Sequence, residues 1–304
     1  MNENSCISIV VLTYNSEKFV EETLDSIYDQ SYPNIELIVA DDCSSDRSVE
    51  LVQKWIGGKK ERFVNFRLIA SPKNTGTSAN CNRGLHVAAG EWVKFIAGDD
   101  VLHTDFFTRM SPLLRNEKVN VIAGEVHTFE NDISEAQFNW PDFDFPTDLS
   151  VQRRRQLVKG LLLAPSVVIR KSKISELKGF DEKFKLLEDD PMWFKLTLDH
   201  NLFYFAQDSI VYYRQHSESV NSIAAREIYY RKPIFLNDLI NFGYGIRVPA
   251  LAKEGLWAHV IFLYLGLLCE NLIYKNGSKL DNILNRILKK FVLLFHRIYV
   301  NLPY

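Results

Sequence analysis

The chain has 304 residues, enough for one large domain or for a domain with an appendage. Its apolar share of 46% and charged share of 24% belong to a globular protein with a buried core, and its net charge of −2 argues against nucleic-acid binding. Four scattered cysteines without metal-ligand spacing indicate reduced thiols, and residues 1–15 predict a first strand and not a signal peptide. We therefore expect a cytoplasmic protein.

Strand and helix patterns alternate along residues 7–130. Ile7 to Leu12 is a continuous apolar run, and IELIVADD, FRLIAS and WVKFIA follow as further strands. Ser16 is a predicted N-cap of the first helix, whose apolar stripe begins at Phe19. This alternation predicts a mainly parallel sheet with helices on both faces, in which ligands bind beyond the carboxyl ends of the strands.

Polar residues follow the predicted strands at the positions where such a sheet binds ligands. Residues 13–15 end the first strand, Asp41 and Asp42 the second, and Asp99 and Asp100 the fourth. Adjacent carboxylates at a strand end are hard oxygen ligands for Mg²⁺ or Mn²⁺. Taken alone, GDD is better explained as a turn, and Asp41 and Asp42 as caps of the next helix. The convergence of three strand ends on one crevice favours a binding site.

The second half of the chain is less regular. Residues 129–148 are rich in aromatic residues, proline and aspartate and predict a long loop. SVVIRKSKI predicts a strand entering a short helix, and LEDDPMWFKL predicts a helix that opens on acids. The helix dipole favours first-turn acids in any protein, and a lone histidine such as His216 is more often structural than a ligand. From about residue 224 the pattern is helical to the end.

Five segments of the chain, in one order, resemble a known family. These segments resemble the motifs of the family-2 inverting glycosyltransferases of the GT-A fold. Two lie in the first half of the chain: SIVVLTYN with the following VADD, and NTGTSANCNRGL through GDD. The other three are KGFDEKF, LEDDPMWFKL and YYRQHSESVN. The resemblance covers residues 5–222 and implies an α/β fold, a GT-A Rossmann-like mainly parallel sheet with helices on both faces, plus a helical C-terminal extension. Residues 1–222 would form the glycosyltransferase domain, with a donor half (1–128) and an acceptor half (129–222), and residues 223–304 the extension.

The resemblance assigns the first strand ends to the nucleotide of a nucleotide-sugar donor. Thr13, Tyr14 and Glu17 would line the base and ribose pocket. Asp42 would hydrogen-bond the base, which in this family is most often uracil, and Asp99 would contact the ribose or its phosphate. These roles imply a UDP-sugar as the expected donor.

The same resemblance implies a divalent ion, Mn²⁺ or Mg²⁺, at the diphosphate. Asp100 would bind the metal, and His216 would reach the diphosphate or the metal from a closing segment that also carries Arg214 and Ser219. The family usually has a further acid where Ala97 stands. The metal is therefore expected to have fewer protein ligands and to bind mostly together with the nucleotide.

The acceptor side would supply the catalytic base. The resemblance assigns this role to Asp189, with Glu188 beside it on the acceptor side. In an inverting transfer the attacking hydroxyl must give its proton to a base within hydrogen-bond reach, and a carboxylate can accept it. The family commonly has arginine where Cys81 stands, so a cation expected near the base pocket is missing from this sequence.

Two C-terminal segments predict helices with different surroundings. Residues 257–274 form an apolar run interrupted by His259 and Glu270, which argue against a membrane span and for a helix buried on the domain or on a second subunit. Residues 275–304 carry six Lys or Arg and one acid, a net charge of 6 − 1 = +5, and their apolar residues recur at helical spacing. Such a helix either lies at an anionic membrane surface or packs its apolar face on the protein.

The sequence thus predicts an inverting glycosyltransferase of the hexosyl or N-acetylhexosaminyl class. It would transfer a sugar from a nucleotide diphosphate to a hydroxyl of a polysaccharide or lipid-linked glycan, in the cytoplasm or peripherally on the inner face of the cell membrane. A nucleotidyltransferase is the alternative enzyme, although TYNSEKF lacks the glycine-rich phosphate loop typical of that class. A nucleotide-sugar binding module without catalysis remains open because of Ala97 and Cys81, and so does a homodimer through the C-terminal helices.

Overall fold

The computed structural model describes residues 5–216, 233–275 and 283–303. In this part of the chain a single sheet has nine strands, ordered β3-β2-β1-β4-β8-β6-β9-β5 with β7 paired to β6. The strands are β1 (Ile7–Thr13), β2 (Ile35–Asp41), β3 (Asn65–Ala70), β4 (Trp92–Ala97), β5 (Val101–Leu102), β6 (Val121–Phe129), β7 (Gln137–Trp140), β8 (Val167–Arg170) and β9 (Phe203–Arg214).

Helices connect these strands and continue beyond them. They are α1 (Val20–Tyr28), α2 (Ser48–Ile56), α3 (Thr77–Val87), α4 (Phe106–Leu114), α5 (Leu149–Val158), α6 (Lys171–Glu176), α7 (Asp189–Leu198), α8 (Pro233–Phe242), α9 (Val248–Lys253), α10 (Trp257–Lys275) and α11 (Ile283–Asn301). A π-helical turn, Gly243–Arg247, joins α8 to α9. The predicted alternation of strands and helices in the first half is confirmed.

Most strands of the sheet run in the same direction. β3, β2, β1 and β4 are mutually parallel. β8 is antiparallel to both β4 and β6, so β6 runs in the direction of β4, and β9 is parallel to β6. The predicted mainly parallel sheet is confirmed, and the carboxyl ends of β1, β2, β4, β6 and β9 lie at one edge.

Two local predictions were wrong, and the capping alternative for Asp41 and Asp42 does not hold. α1 begins only at Val20, with Phe19 at the N-cap position, so Ser16 does not cap it; the Ser16 hydroxyl accepts a hydrogen bond from the Tyr14 backbone N–H instead (3.3 Å). α2 begins at Ser48, too far along the chain for the acids after β2 to cap it. The predicted long loop over residues 129–148 contains a strand, β7, which pairs with the end of β6.

The C-terminal helices pack against the acceptor half. A second apolar cluster joins residues on both sides of the predicted boundary at residue 222; its buried members are Leu157, Val158, Phe184, Leu187, Phe194, Phe242, Ala250, Leu251 and Tyr299. The Asp238 carboxylate in α8 also accepts a hydrogen bond from the Leu186 backbone N–H, 2.8 Å away. α8 therefore supports the segment that precedes α7, while the boundary itself falls outside the described residues.

α10 is buried on one face only. His259 and Glu270, which interrupt its apolar run, are 1% and 8% exposed and point inward. Five large apolar side chains of the same helix are exposed: Trp257, Ile261, Tyr264, Leu268 and Leu272. In the described ranges this is the one helix long and apolar enough to cross a membrane, by length and composition alone. The predicted burial of this helix therefore holds only for the face that carries His259 and Glu270. The face that carries the five exposed apolar side chains points outward.

Candidate active site

The predicted strand ends meet at one edge of the sheet. Thr13 is in register with Asp41 on β2, and Leu12 is in register with Ala97 on β4. Two backbone hydrogen bonds continue this alignment past the strands: the N–H of Asp42 donates to the Thr13 carbonyl, and the N–H of Gly98 donates to the Leu12 carbonyl, both at 2.9 Å. The structure therefore brings the polar residues after β1, β2 and β4 together.

Thr13 and Glu17 hold neighbouring loops in place. The Thr13 hydroxyl donates to Oδ1 of Asp41 at 2.8 Å, and both residues are buried. The Glu17 carboxylate accepts two hydrogen bonds from Arg47, one from its backbone and one from its guanidinium, each at 3.2 Å. Tyr14 is 55% exposed. Of the three residues predicted to line the base pocket, Tyr14 is thus the most accessible to a ligand.

Asp42 is buried at the start of the loop between β2 and α2, where its carboxylate holds the loop before α3. Its two oxygens accept hydrogen bonds from the backbone N–H groups of Thr75 and Gly76 at 2.8–3.0 Å. The guanidinium of Arg83 in α3 reaches the same carboxylate at 3.2 Å and also donates to the Thr75 hydroxyl at 2.7 Å. Sequence reasoning missed Arg83, which places a cation beside Asp42 although Cys81, two residues earlier, carries none.

Asp99 and His216 form a direct pair at this edge of the sheet. Nε2 of His216 lies 2.9 Å from Oδ2 of Asp99, and the imidazole ring packs on Phe19, with ring centroids 5.0 Å apart. Asp100 is 1% exposed, and its Oδ1 accepts a hydrogen bond from the Arg214 backbone N–H at 3.1 Å. Burial and the neighbouring Asp99 charge raise the pKa of Asp100 well above its usual range. The predicted metal-binding residues therefore lie at one place.

The guanidinium of Arg214 is turned into the protein. It donates to the Asp99 carbonyl at 2.9 Å and to the Glu22 carboxylate, and it lies between the rings of Phe19 and Phe129, 4.7 and 4.3 Å from their centroids. Its side chain is 3% exposed. In this arrangement Arg214 supports the Asp99 loop and does not point toward a ligand. Ser219, the other residue predicted on this segment, lies outside the described residues.

A buried lysine lies beneath the acid pair. Lys94 in β4 is 0% exposed, and its ammonium donates a hydrogen bond to the Pro165 carbonyl. Burial lowers the pKa of Lys94 to about 7, while the negative charge of Asp100 acts in the opposite direction. The signal for this residue was present in the sequence, because a lysine inside the apolar strand WVKFIA requires a partner.

The second acid group opens α7. Glu188 is its N-cap residue, and Asp189 and Asp190 lie in its first turn. Burial and the charge of Asp190 raise the pKa of Asp189 to about 7, and burial and the charge of Asp189 raise the pKa of Glu188 to about 8. Burial is the main cause that raises the pKa of the Cys81 thiol, and the charges of Glu188 and Asp189 raise it further. Cys81 therefore lies near both acids. A half-buried carboxylate with a pKa near neutrality is suited to accept a proton.

The N-terminus of α3 links the two halves of the site. The Thr77 N–H donates to the Lys185 carbonyl at 2.7 Å, and the Ser78 hydroxyl donates to the Phe184 carbonyl. Gly76, at φ +93°, approaches the same segment so closely that a Cβ at this position would lie 2.6 Å from the Lys185 carbonyl oxygen. Glycine is required there, since its freedom at positive φ allows the contact. The loop bound by Asp42 is thereby fixed to the segment that leads into Asp189.

The residues at this edge fit a magnesium-like ion that shares its coordination with a ligand. Within the described ranges no group of three or more His, Cys, Asp or Glu side chains has the geometry of a complete metal site. Asp99, Asp100 and His216 nevertheless bring oxygen and nitrogen donor atoms together, and two adjacent acids concentrate negative charge at one place. Mg²⁺ in particular keeps few protein ligands and takes others from substrate phosphates. The donor set therefore fits a divalent ion bound with a diphosphate.

The fold and the acids at its sheet edge define an α/β protein with the architecture of a glycosyltransferase. The model of "Glycosyl transferase family 2" matches residues 8–175, which is more than half of the chain. The chain therefore belongs to glycosyl transferase family 2.

Curated relatives agree with this assignment. An uncharacterized glycosyltransferase of Haemophilus influenzae is 37% identical over 99 residues, covering 33% of this chain and 38% of its own length. Glycosyltransferase GlyG of Streptococcus pneumoniae is 23% identical over 221 residues, covering 70% of this chain and 72% of its own. The chain thus spans well under half of the first relative and nearly three quarters of the second.

Solved structures share the fold over almost the whole chain. TarS of S. aureus, in complex with UDP, has a TM-score of 0.58 at 20% identity and covers 97% of this chain and 90% of its own. The mannosyltransferase PcManGT of Pyrobaculum calidifontis, in complex with GDP-Man and Mn²⁺, has a TM-score of 0.57 at 17% identity, covering 98% and 87%. The predicted GT-A fold with a helical C-terminal region is confirmed.

Proposed function

We propose that this protein transfers a sugar from a nucleotide diphosphate, with inversion, to a hydroxyl group of a glycan acceptor. One observation supports the proposal: hydrogen bonds tie the segment that leads into Glu188 and Asp189 to the loop held by Asp42, at the sheet edge that also carries Asp99, Asp100 and His216. The first group follows the parallel strands, and the second is fastened to the same edge through the start of α3. Leaving-group stabilisation and proton acceptance are the two functions that such a transfer requires.

The chain's own residues divide the chemistry between them. Asp189 would accept the proton of the attacking hydroxyl, and its pKa, raised to about 7, lies near neutrality. Asp99, Asp100 and His216 would hold Mn²⁺ or Mg²⁺, which when bound stabilises negative charge on the leaving diphosphate. Asp42 with Arg83 would face the base, and Thr13, Tyr14 and Glu17 would line the rest of the nucleotide pocket.

A UDP-sugar is the proposed donor, and a polysaccharide or lipid-linked glycan is the proposed acceptor. The support for uridine is the family pattern around Asp42 together with the UDP in the TarS complex, a protein of the same fold. The GDP-Man in the PcManGT complex makes the guanosine donor the direct competitor. Hexosyl and N-acetylhexosaminyl transfer are both compatible with this donor class.

The proposal is tested with a panel of nucleotide sugars. Purified protein would be incubated with UDP-, GDP-, CDP- and TDP-sugars, with and without Mn²⁺, and release of each nucleoside diphosphate would be measured beside calorimetric binding of the diphosphate. We expect one donor to be cleaved, slowly to water and faster once an acceptor is supplied, and only with the metal. Metal-dependent binding without any cleavage would identify a binding module, and binding of none of the four would contradict the proposal.

The proposed base predicts an acidic limb in the pH profile. Because Asp189 must be ionised to accept a proton and its pKa is raised to about 7, kcat/KM is expected to rise with pH through about 7 and to level off above it. Asp190→Asn removes a charge that raises this pKa, so the rise should move to lower pH in that variant. A profile with no acidic limb, or one that the variant leaves in place, would contradict the assignment.

A further inference from the structure

More large apolar side chains of α11 are exposed than buried, five against three. Leu288, Val292 and Tyr299 pack inward, in the two apolar clusters formed with α8 to α10. A second row of large apolar side chains is 42–50% exposed; this apolar strip consists of Leu284, Ile287, Phe291 and Leu294. The strip repeats at three- and four-residue intervals, so it runs along one side of the helix. Packing on the protein therefore covers only part of the apolar side that the sequence predicts for this helix.

A row of basic side chains runs beside the apolar strip. Arg286, Lys290 and Arg297, the basic strip, are exposed and recur after four and seven residues, which also places them along one line of the helix. At 100° per residue this line lies next to the apolar strip, on the side away from Leu288 and Tyr299. The outer surface of α11 thus has an apolar half bordered by cations.

The two last helices carry a strong positive excess. Their described residues include five Lys or Arg and one acid, Glu270, a net charge of 5 − 1 = +4. The acid lies on the inner face of α10 and is 8% exposed. An anionic partner would therefore be attracted to this end of the molecule, whereas the chain as a whole is weakly negative at −2.

We propose that α11 lies on an anionic membrane surface, with the apolar strip in the bilayer interface and the basic strip at the lipid headgroups. Apolar residues on one side and Lys or Arg beside them are the features by which a helix binds in this plane. A second copy of the chain is the other candidate occupant. It fits less well, because pairing two copies through this face would bring two basic strips together at a cost that an anionic bilayer does not impose.

The helix that would touch the membrane is fixed to the acceptor half of the enzyme. The Tyr299 hydroxyl donates to the Leu157 carbonyl at 3.1 Å, and the Arg247 guanidinium lies 5.2 Å from the Tyr299 ring centroid while donating to the Val158 carbonyl at 2.6 Å. Membrane binding through α11 would therefore hold α5 and the neighbouring α7, which begins at Asp189, close to the bilayer. The inference rests on this surface alone and stands whether or not the proposed reaction is correct.

Vesicle binding of the full chain tests the proposal. Protein would be sedimented with vesicles of phosphatidylglycerol and phosphatidylcholine in equal parts, and with phosphatidylcholine alone. We expect binding to the first and little to the second. Lys290→Gln with Arg297→Gln should weaken binding on the order of 30-fold, at about fivefold for each charge removed at low salt. Lys60→Gln with Lys118→Gln, an equal loss of charge from exposed positions on the donor half, should leave it unchanged.

A second pair of variants separates the apolar strip from folding. Ile287→Gln and Leu294→Gln replace exposed side chains by a good helix former, so the thermal midpoint should hold while vesicle binding falls. Equal binding to neutral and anionic vesicles, or no loss in either double variant, would overturn the proposal. So would the absence of vesicle binding together with self-association that Ile287→Gln and Leu294→Gln abolish, which would identify a second copy as the occupant.

Discussion

Replacing Asp189 by Asn is expected to lower kcat on the order of 1,000-fold while the affinity for the nucleoside diphosphate stays unchanged. The amide keeps the size and the hydrogen-bonding oxygen of the carboxylate but cannot accept the proton of the attacking hydroxyl. Asp189 begins α7, whereas the proposed nucleotide residues follow β1, β2 and β4, so its replacement should leave the groups that bind the donor unchanged. Steady-state kinetics and calorimetric titration of the diphosphate, on the same preparation, measure the two effects separately.

The same variant should be more stable than the parent at neutral pH and above. Burial and the Asp190 charge raise the pKa of Asp189 in the folded state, so ionisation costs free energy there that it does not cost in the unfolded chain. Its contribution to stability is present at low pH and is lost as the pH rises through about 7. Asn carries no charge at any of these pH values and removes that loss. Denaturant unfolding at about pH 4, near the ordinary pKa of an aspartate, and at pH 8 would show little gain at the lower pH and the full gain at the higher.

Asp199→Asn is the matched control, since Asp199 lies at the other end of the same helix and is paired with Lys173 on the surface. We expect that variant to keep its turnover. A large loss of kcat in Asp199→Asn, or a nearly normal kcat in Asp189→Asn, would show that the base lies elsewhere. Loss of activity combined with a gain of stability is the pattern of a residue retained for function at a cost to the fold.

The acids of the crevice could be predicted from the sequence because each follows an apolar strand. Asp41 and Asp42, and likewise Asp99 and Asp100, come directly after runs whose length and composition already fix them as buried strands. Parallel strands place their carboxyl ends at one edge, so the acids had to converge. The sheet order and the register supply the rest of that prediction without any specific side-chain contact.

The cations of the crevice could not be predicted in this way. Arg83 meets Asp42 from a helix, Lys94 faces inward from a strand, and Arg214 turns from the predicted ligand toward Glu22. Each of these pairs joins residues far apart in the chain, and spacing along a sequence carries no information about such contacts. Cys81 stands where the family commonly has arginine, and a motif comparison therefore records the loss of a cation. Arg83, only two positions away, supplies a cation that such a comparison does not detect.

The orientation of the C-terminal helices was also beyond the sequence. A helix that is apolar nearly all round does not reveal which face is buried, and in α10 the inward face holds His259 and Glu270. The periodicity of α11 predicted one apolar side, whereas the structure divides that side between the protein and the surface. Which part is covered depends on where α8 and α9 lie, and that is a property of the packed chain.

Replacing Asp99 or Asp100 by Asn is expected to abolish the part of the diphosphate affinity that depends on Mn²⁺, a loss of at least about 100-fold. Removing one charge from an already small donor set leaves too few ligands for a hard cation, since Ala97 supplies none. Without metal, the parent and both variants should bind the diphosphate equally weakly. Calorimetric titration with and without Mn²⁺ gives the metal-dependent increment directly.

The two variants also distinguish the roles of the two acids. Asp100 is buried and its pKa is already raised, so a neutral amide should be tolerated by the fold, whereas Asp99 contacts His216 and its replacement should also loosen that imidazole. His216→Ala is then expected to reduce the increment less than either acid does, because an imidazole carries no negative charge. Asp29→Asn, an exposed acid at the end of α1, serves as the control and should keep the full increment. If Mn²⁺ strengthens diphosphate binding equally in all of these variants, the ion is not held by this group of residues.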